Sequence, residues 1–178
     1  MFVIVLIFLC ALPLMAQENP KLPEPVFEKK DSFTVVGIQL LDSRNGKEMM
    51  DLWTRFSEQV EKTPNRISGD LYGVSFYTKD YNPKTGEGFG YMAATEVKEV
   101  QDLPDGFVSR TIQAAEYAVF TYKGPISEIG MLYSYIYGEW MKTAKVQPIN
   151  QEMFELYDEK YNPESEENAI QIWVPVKR

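Results

Sequence analysis

The sequence predicts an α+β domain over residues 33–178, made of two pseudo-symmetric strand–helix–strand–strand units around a central groove. Three observations predict it. Runs of β-rich and helical-period residues follow one another as strand, helix, strand, strand, and that order then recurs. Tyr81-Asn82-Pro83 returns as Tyr161-Asn162-Pro163, 80 positions later, each time between the last two strands of its half. Trp53 and Trp140 sit on the two helices. An internal repeat constrains the fold before any other signal. The repeat halves are bounded at 33–103 and 107–178.

The elements follow in order. MFVIVLIFLCALPLMAQ is apolar, too short for a spanning helix and broken by Pro13, so residues 1–16 read as a secretory signal peptide cleaved after Ala16. Left uncleaved, that segment would instead tether the chain to a membrane. Either way the domain is expected outside the cytoplasm, secreted or in the cell envelope. Residues 17–32, with prolines at 20, 23 and 25 among many charges, read as a flexible linker. FTVVGIQLL (33–41) reads as a strand. Met49, Leu52, Trp53, Phe56 and Val60 then recur at helical spacing, which predicts a helix over 46–62, stopped by Pro64. LYGVSFYT (71–78) and FGYMAATEV (89–97) read as strands around a turn-rich loop. In the second half, FVSRTI (107–112) leads into the strand 117–124, and Gly124-Pro125 opens a helix over 126–143. The strands 153–158 and 169–176 close the chain around a solvated loop containing Glu164-Ser165-Glu166-Glu167.

Composition excludes several functions. The formal net charge of −8 repels phosphate backbones, so no nucleic-acid partner is expected. The chain has no histidine, and its single cysteine is Cys10 in the apolar N-terminal run. A Ser-His-Asp triad, a Cys-His pair and a soft-metal cluster are therefore excluded. No cofactor is expected. Haem would have to take a Tyr or Met as its axial ligand, which disfavours it. Chemistry must come from carboxylates, tyrosines, lysines or backbone groups.

Strand alternation sorts residues onto faces. Ile170, Ile172, Val174 and Val176 form one apolar face, expected beneath the helices, which leaves Gln171 and Trp173 on the other. Phe154 and Leu156 are expected on the helix side, with Glu155 and Tyr157 opposite. The repeat offset carries this to Ser75, Tyr77 and Tyr91 in the first half. The face away from the helices is thus expected to gather Tyr77, Tyr91, Glu155, Tyr157, Gln171 and Trp173 as a ligand groove. Trp173 fits either a ligand wall or a plug between the halves. Tyr133, Tyr137 and Trp140 are expected in the helix core. Glu155 answers to Ser75 in the other half, so the groove should carry one carboxylate.

The pieces Tyr117-Ala118-Val119-Phe120, Lys123-Gly124-Pro125, Tyr137-Gly138-Glu139-Trp140, Phe154-Glu155-Leu156-Tyr157 and Ile172-Trp173-Val174-Pro175-Val176 come in a characteristic order. With Phe89-Gly90-Tyr91-Met92-Ala93 in the first half, the chain resembles the GyrI-like small-molecule-binding family. That family includes gyrase-inhibitory proteins and effector-binding domains of multidrug-sensing transcription regulators. The resemblance implies a groove between two strand–helix–strand–strand units, with Glu155 in it to meet cationic or polar ligands. No DNA-binding segment is read ahead of the domain, and the export signal argues against gyrase as a target.

The expected function is binding of an amphipathic, cationic aromatic small molecule by a non-catalytic monomer. Aromatic faces attract cations by about 0.5–2 kcal/mol each, and a desolvated carboxylate selects positive charge. The alternative is a hydrolase of reactive electrophilic small molecules, with Glu155 as general acid or base.

Overall fold

The computed structural model describes residues 23–42, 46–162, 165 and 169–178. The signal-peptide reading of residues 1–16 and the acidic loop positions 164, 166 and 167 lie outside the described residues. The strands are β1 (Val26–Lys30), β2 (Phe33–Leu41), β3 (Leu71–Tyr77), β4 (Phe89–Val97), β5 (Val108–Ile112), β6 (Ala115–Lys123), β7 (Gln147–Pro148), β8 (Met153–Tyr157) and β9 (Ala169–Lys177). They form one antiparallel sheet in the order β1-β6-β9-β8-β3-β4-β2-β5, with β7 added alongside β9. The fold is therefore α+β.

Residues 26–30 correct the reading of 17–32 as a linker. They form β1, paired with β6 from Val26↔Val119 to Lys30↔Ala115. The prolines that suggested a tether end at Pro25, and Val26 and Phe27 continue into a chain able to donate every ladder bond.

The sheet curls strongly. β1 and β2 stand near opposite ends of the strand order, yet only Asp31 and Ser32 separate them in the chain. β2 and β8 are three strand spacings apart, about 14 Å in a flat sheet. The Phe33 and Phe154 rings nevertheless lie 5.5 Å apart. The inside of the curl is filled by Phe33, Val35, Tyr72, Val74, Phe154, Tyr117 and Trp173. Phe154 stacks on Trp173 at 5.2 Å and meets Tyr117 edge-on at 5.3 Å. Burying each such ring stabilises the fold by about 1.5–3 kcal/mol.

Two helices cover the outside of the curl. Helix α1 (Gly46–Ser57) buries Leu52 and Phe56 against Val36, Ile38, Ala93 and Val97. A 3-10 turn, Val60–Lys62, ends it before Pro64. The second helix begins as a 3-10 turn after Pro125, continues as α2 (Ile129–Tyr135), passes through a π-helical turn (Ile136–Trp140) and ends as α3 (Met141–Thr143). Its Leu132, Ile136 and Trp140 pack on Ala118, Phe120, Ile172 and Val174. Each helix covers its own end of the sheet and leaves a gap above the central strands β3 and β8. Among the described residues no helix is long and apolar enough to cross a membrane.

Candidate functional site

The gap between the helices is floored by β3, β4 and β8. Glu155 on β8 lies opposite Gly73 of β3 on one side and Ile172 of β9 on the other. Ile172 belongs to the helix-covered face, so Glu155 points outward between the helices. Side chains two apart share a face, which brings Tyr157 to the same side. Tyr91 on β4 reaches across β3 from beyond Gly73. A side chain at 73 would overlap both the Tyr91 Oη and the Glu155 Oε2. Glycine at that position is what lets the two groups meet.

The result is a buried carboxylate held by three phenols. Glu155 is 7% exposed. Its Oε2 accepts from Tyr91 Oη at 2.7 Å and from Tyr157 Oη at 2.8 Å, and its Oε1 accepts from Tyr133 Oη on α2. Trp53 of α1 packs edge-on against the Tyr157 ring at 5.3 Å. No lysine or arginine pairs with Glu155 among the described residues; the ion pairs join Lys47–Asp51, Arg66–Glu61, Arg110–Glu152 and Arg178–Glu116.

Burial pushes the Tyr91, Tyr133 and Tyr157 hydroxyls well above the ordinary phenol range, and the Glu155 charge pushes them further. They are neutral donors at physiological pH. A carboxylate has about four lone-pair sites, and three are used here. One remains for a guest.

A cavity of about 450 Å³ opens beside this cluster. Tyr77, Tyr91, Tyr133, Tyr137, Met153 and Ile149 supply much of its wall, and Glu155 is its one carboxylate among the described residues. Tyr77 and Tyr137 are half exposed at its mouth. The Tyr133 and Tyr137 rings lie parallel, 6.5 Å apart. Burial raises the Tyr137 hydroxyl to about 12, and that group donates to Met153 Sδ at 2.8 Å.

Four expected site residues therefore come together: Glu155, Tyr157, Tyr91 and Tyr77. Gln171 and Trp173 do not. They face the inside of the curl, where Trp173 Nε1 donates to Gln171 Oε1 at 3.0 Å and its indole stacks on Phe154. The register explains the correction. Phe154 is paired with Trp173 and Glu155 with Ile172, so Phe154 and Leu156 belong inside and Glu155 belongs on the helix side. The groove lies beneath the helices, not on the face away from them. Tyr133 and Tyr137, expected in the core, line it instead. Their signal was the hydroxyl: a tyrosine buried on a helix stripe needs a partner that leucine would not. Gly73 had no signal beyond being a glycine inside a strand.

Comparisons with known proteins bear on the family and the fold. Residues 27–176 match the family described as Cass2, integron-associated effector binding protein. The transcriptional regulator BrlR of Pseudomonas aeruginosa is 27% identical over 150 residues, covering 83% of this chain and 53% of BrlR. The chain thus spans about half the length of that curated relative. The structure of SAV2435 bound to tetraphenylphosphonium superposes with a TM-score of 0.70 at 21% identity, over 86% of this chain and 94% of that one. An integron cassette protein from the mobile metagenome of Vibrio cholerae gives a TM-score of 0.58 at 17% identity, over 86% and 96%.

Proposed function

We propose, from the premise that this chain belongs to the Cass2 family of integron-associated effector-binding proteins, that it captures an amphipathic cation with aromatic groups in the cavity at Glu155. One observation carries the reading: a buried carboxylate is satisfied by three neutral phenols, and among the described residues no lysine or arginine pairs with it. Its negative charge is left for a guest to neutralise. The surrounding rings offer π-faces, each worth about 0.5–2 kcal/mol to a cation. The cavity volume lies in the range of small-molecule sites. The ligand of SAV2435, a hydrophobic cation, is of the same chemical class.

The three O–H bonds also weigh against the hydrolase alternative. A general base must keep a lone pair free for its water, and three O–H bonds leave this carboxylate only one, which the guest itself would meet. Charge recognition needs no such freedom. The strand order, with β3 and β8 at the centre, β4 and β2 on one side and β9 and β6 on the other, supports reading the chain as two related strand–helix–strand–strand units, with β5 of the second half added to β2 and β1 added to β6. The apolar residues 1–16 support export, and the mass of the mature N-terminus would test cleavage after Ala16.

Thermal shift with tetraphenylphosphonium and with neutral triphenylphosphine oxide tests the function. The cation is expected to stabilise the wild-type protein far more than the neutral compound does. Glu155→Gln is expected to weaken cation binding by about 10–100-fold, the loss of a charged contact worth about 1.5–3 kcal/mol. Equal stabilisation of both proteins by the cation would overturn the reading.

A further inference from the structure

Beyond the Tyr157 side of the carboxylate cluster lies a second hollow, of about 560 Å³. Its wall comes from Met50 and Trp53 of α1, Leu71 at the start of β3, Ile126 ahead of α2, and Tyr157 and Tyr161. None of its lining residues among those described is charged at neutral pH, the Tyr157 and Tyr161 phenols being raised above their ordinary range by burial. Two features join it to the first cavity. Met49 lines both. Tyr157, whose hydroxyl donates to Glu155, forms part of its floor, with the Tyr161 ring edge-on at 4.9 Å. The Glu155 charge is felt as far as Tyr161, where it adds to burial in raising that hydroxyl.

Glu155 therefore lines the first hollow and its hydrogen-bond partner Tyr157 the second, with Met49 common to both. Methionine is unbranched and adapts its shape to what lies against it. Met50, 71% exposed, leaves apolar surface at the second hollow that no other described residue covers.

We infer that the site is bipartite and that its ligand is an elongated amphipathic cation. The charged head with its aromatic group sits at Glu155 in the first cavity, and an apolar chain crosses Met49 into the second hollow between Trp53 and Ile126. This rests on the cation-binding reading above and extends it to ligand shape. Burial of each methylene multiplies affinity by about fourfold, so chain length should be read directly in the dissociation constant.

The test uses N-alkylpyridinium salts of increasing chain length, below their micelle concentrations, with tetraphenylphosphonium as the compact cation. Binding is followed by tryptophan fluorescence or calorimetry on the wild type, Ile126→Asp and Thr54→Trp. The first variant places a charge at the end of the second hollow, and the second fills it from an exposed helix position. In the wild type, affinity should climb steadily with chain length. In both variants that climb should flatten by tenfold or more at the longest chain, while tetraphenylphosphonium affinity stays within about twofold. If tetraphenylphosphonium binds but chain length has no effect, or if both variants keep the wild-type climb, the bipartite site is overturned and Glu155 recognition stands. If neither cation type binds, the Glu155 reading falls and takes this one with it.

Discussion

Gly73 stands between Glu155 and the Tyr91 hydroxyl that donates to it, and a methyl group there would overlap both oxygens. Gly73→Ala should therefore separate the pair or displace β8 from β3. The expected cost is about 1–3 kcal/mol, as for other overpacked interiors, seen as a lower urea midpoint. Cation binding should fall with it, because the carboxylate loses its set position. An unchanged midpoint with normal binding would show that the strands have slack here. The phenols around Glu155 make a second prediction. The Tyr91, Tyr133 and Tyr157 hydroxyls are held above their unfolded value of about 10 by burial and then by the Glu155 charge. The folded state keeps protons that the unfolded chain releases, so this stability is complete below about pH 10 and is lost as pH rises through the folded values. Alkaline titration by phenolate absorbance should show a set of tyrosines that ionise only as the protein unfolds. In Glu155→Gln these groups should titrate at lower pH, because the second cause of their shift is gone. A wild-type protein whose tyrosines all titrate together near pH 10 would contradict the buried cluster.

Individual strands and helices were largely readable, and the particular failures have one origin. The runs 33–41, 71–78, 89–97 and 169–176 became strands, and Leu52, Phe56, Leu132 and Ile136 became helix contacts. Alternation within 153–158 correctly separated Glu155 and Tyr157 from Phe154 and Leu156. It could not say which set faces the helices. That choice was made on apolarity, a sound guide when one face of a sheet is wet. Here the helices cover one face and the curl of the sheet covers the other, so both faces are apolar: the faces of 169–176 were assigned correctly, and Phe154, Leu156, Glu155 and Tyr157 fell on the wrong sides. Cross-strand register, which pairs Phe154 with Trp173, is a long-range property that neither strand carries alone. β1 was missed for a similar reason: its residues are mostly exposed, and only the open edge of β6 makes them a strand. A chain beginning at residue 33 should therefore be less stable than one beginning at residue 23 by about 1–3 kcal/mol, the net value of a short ladder after its ordering cost. Coincident urea midpoints for the two chains would remove β1 from the folding unit.

Across the whole molecule, the closing of the sheet and the charge of the chain act on the same ligand. The curl keeps the large rings Phe33, Tyr117, Phe154 and Trp173 for stability and leaves the outer floor free to carry Glu155 at a gap between two separately anchored helices. The proposed binding site thus lies where the inner core does not depend on it. The formal net charge of −8 surrounds that gap with a field that draws cations in. The field and the buried carboxylate should separate kinetically. Screening lengths shrink from about 30 Å at 0.01 M salt to about 10 Å at 0.1 M, so the association rate of a cationic probe should fall several-fold over that range. The dissociation rate, set by desolvated contacts at Glu155, should change little. Glu155→Gln alters the net charge by one unit only, so it should keep most of the salt dependence of association while dissociating about 10–100-fold faster. Stopped-flow fluorescence of both proteins across salt concentrations measures these rates. If salt instead acts on dissociation and leaves association unchanged, the carboxylate is more exposed to solvent than its 7% accessibility implies, and the guest is not held in a desolvated site.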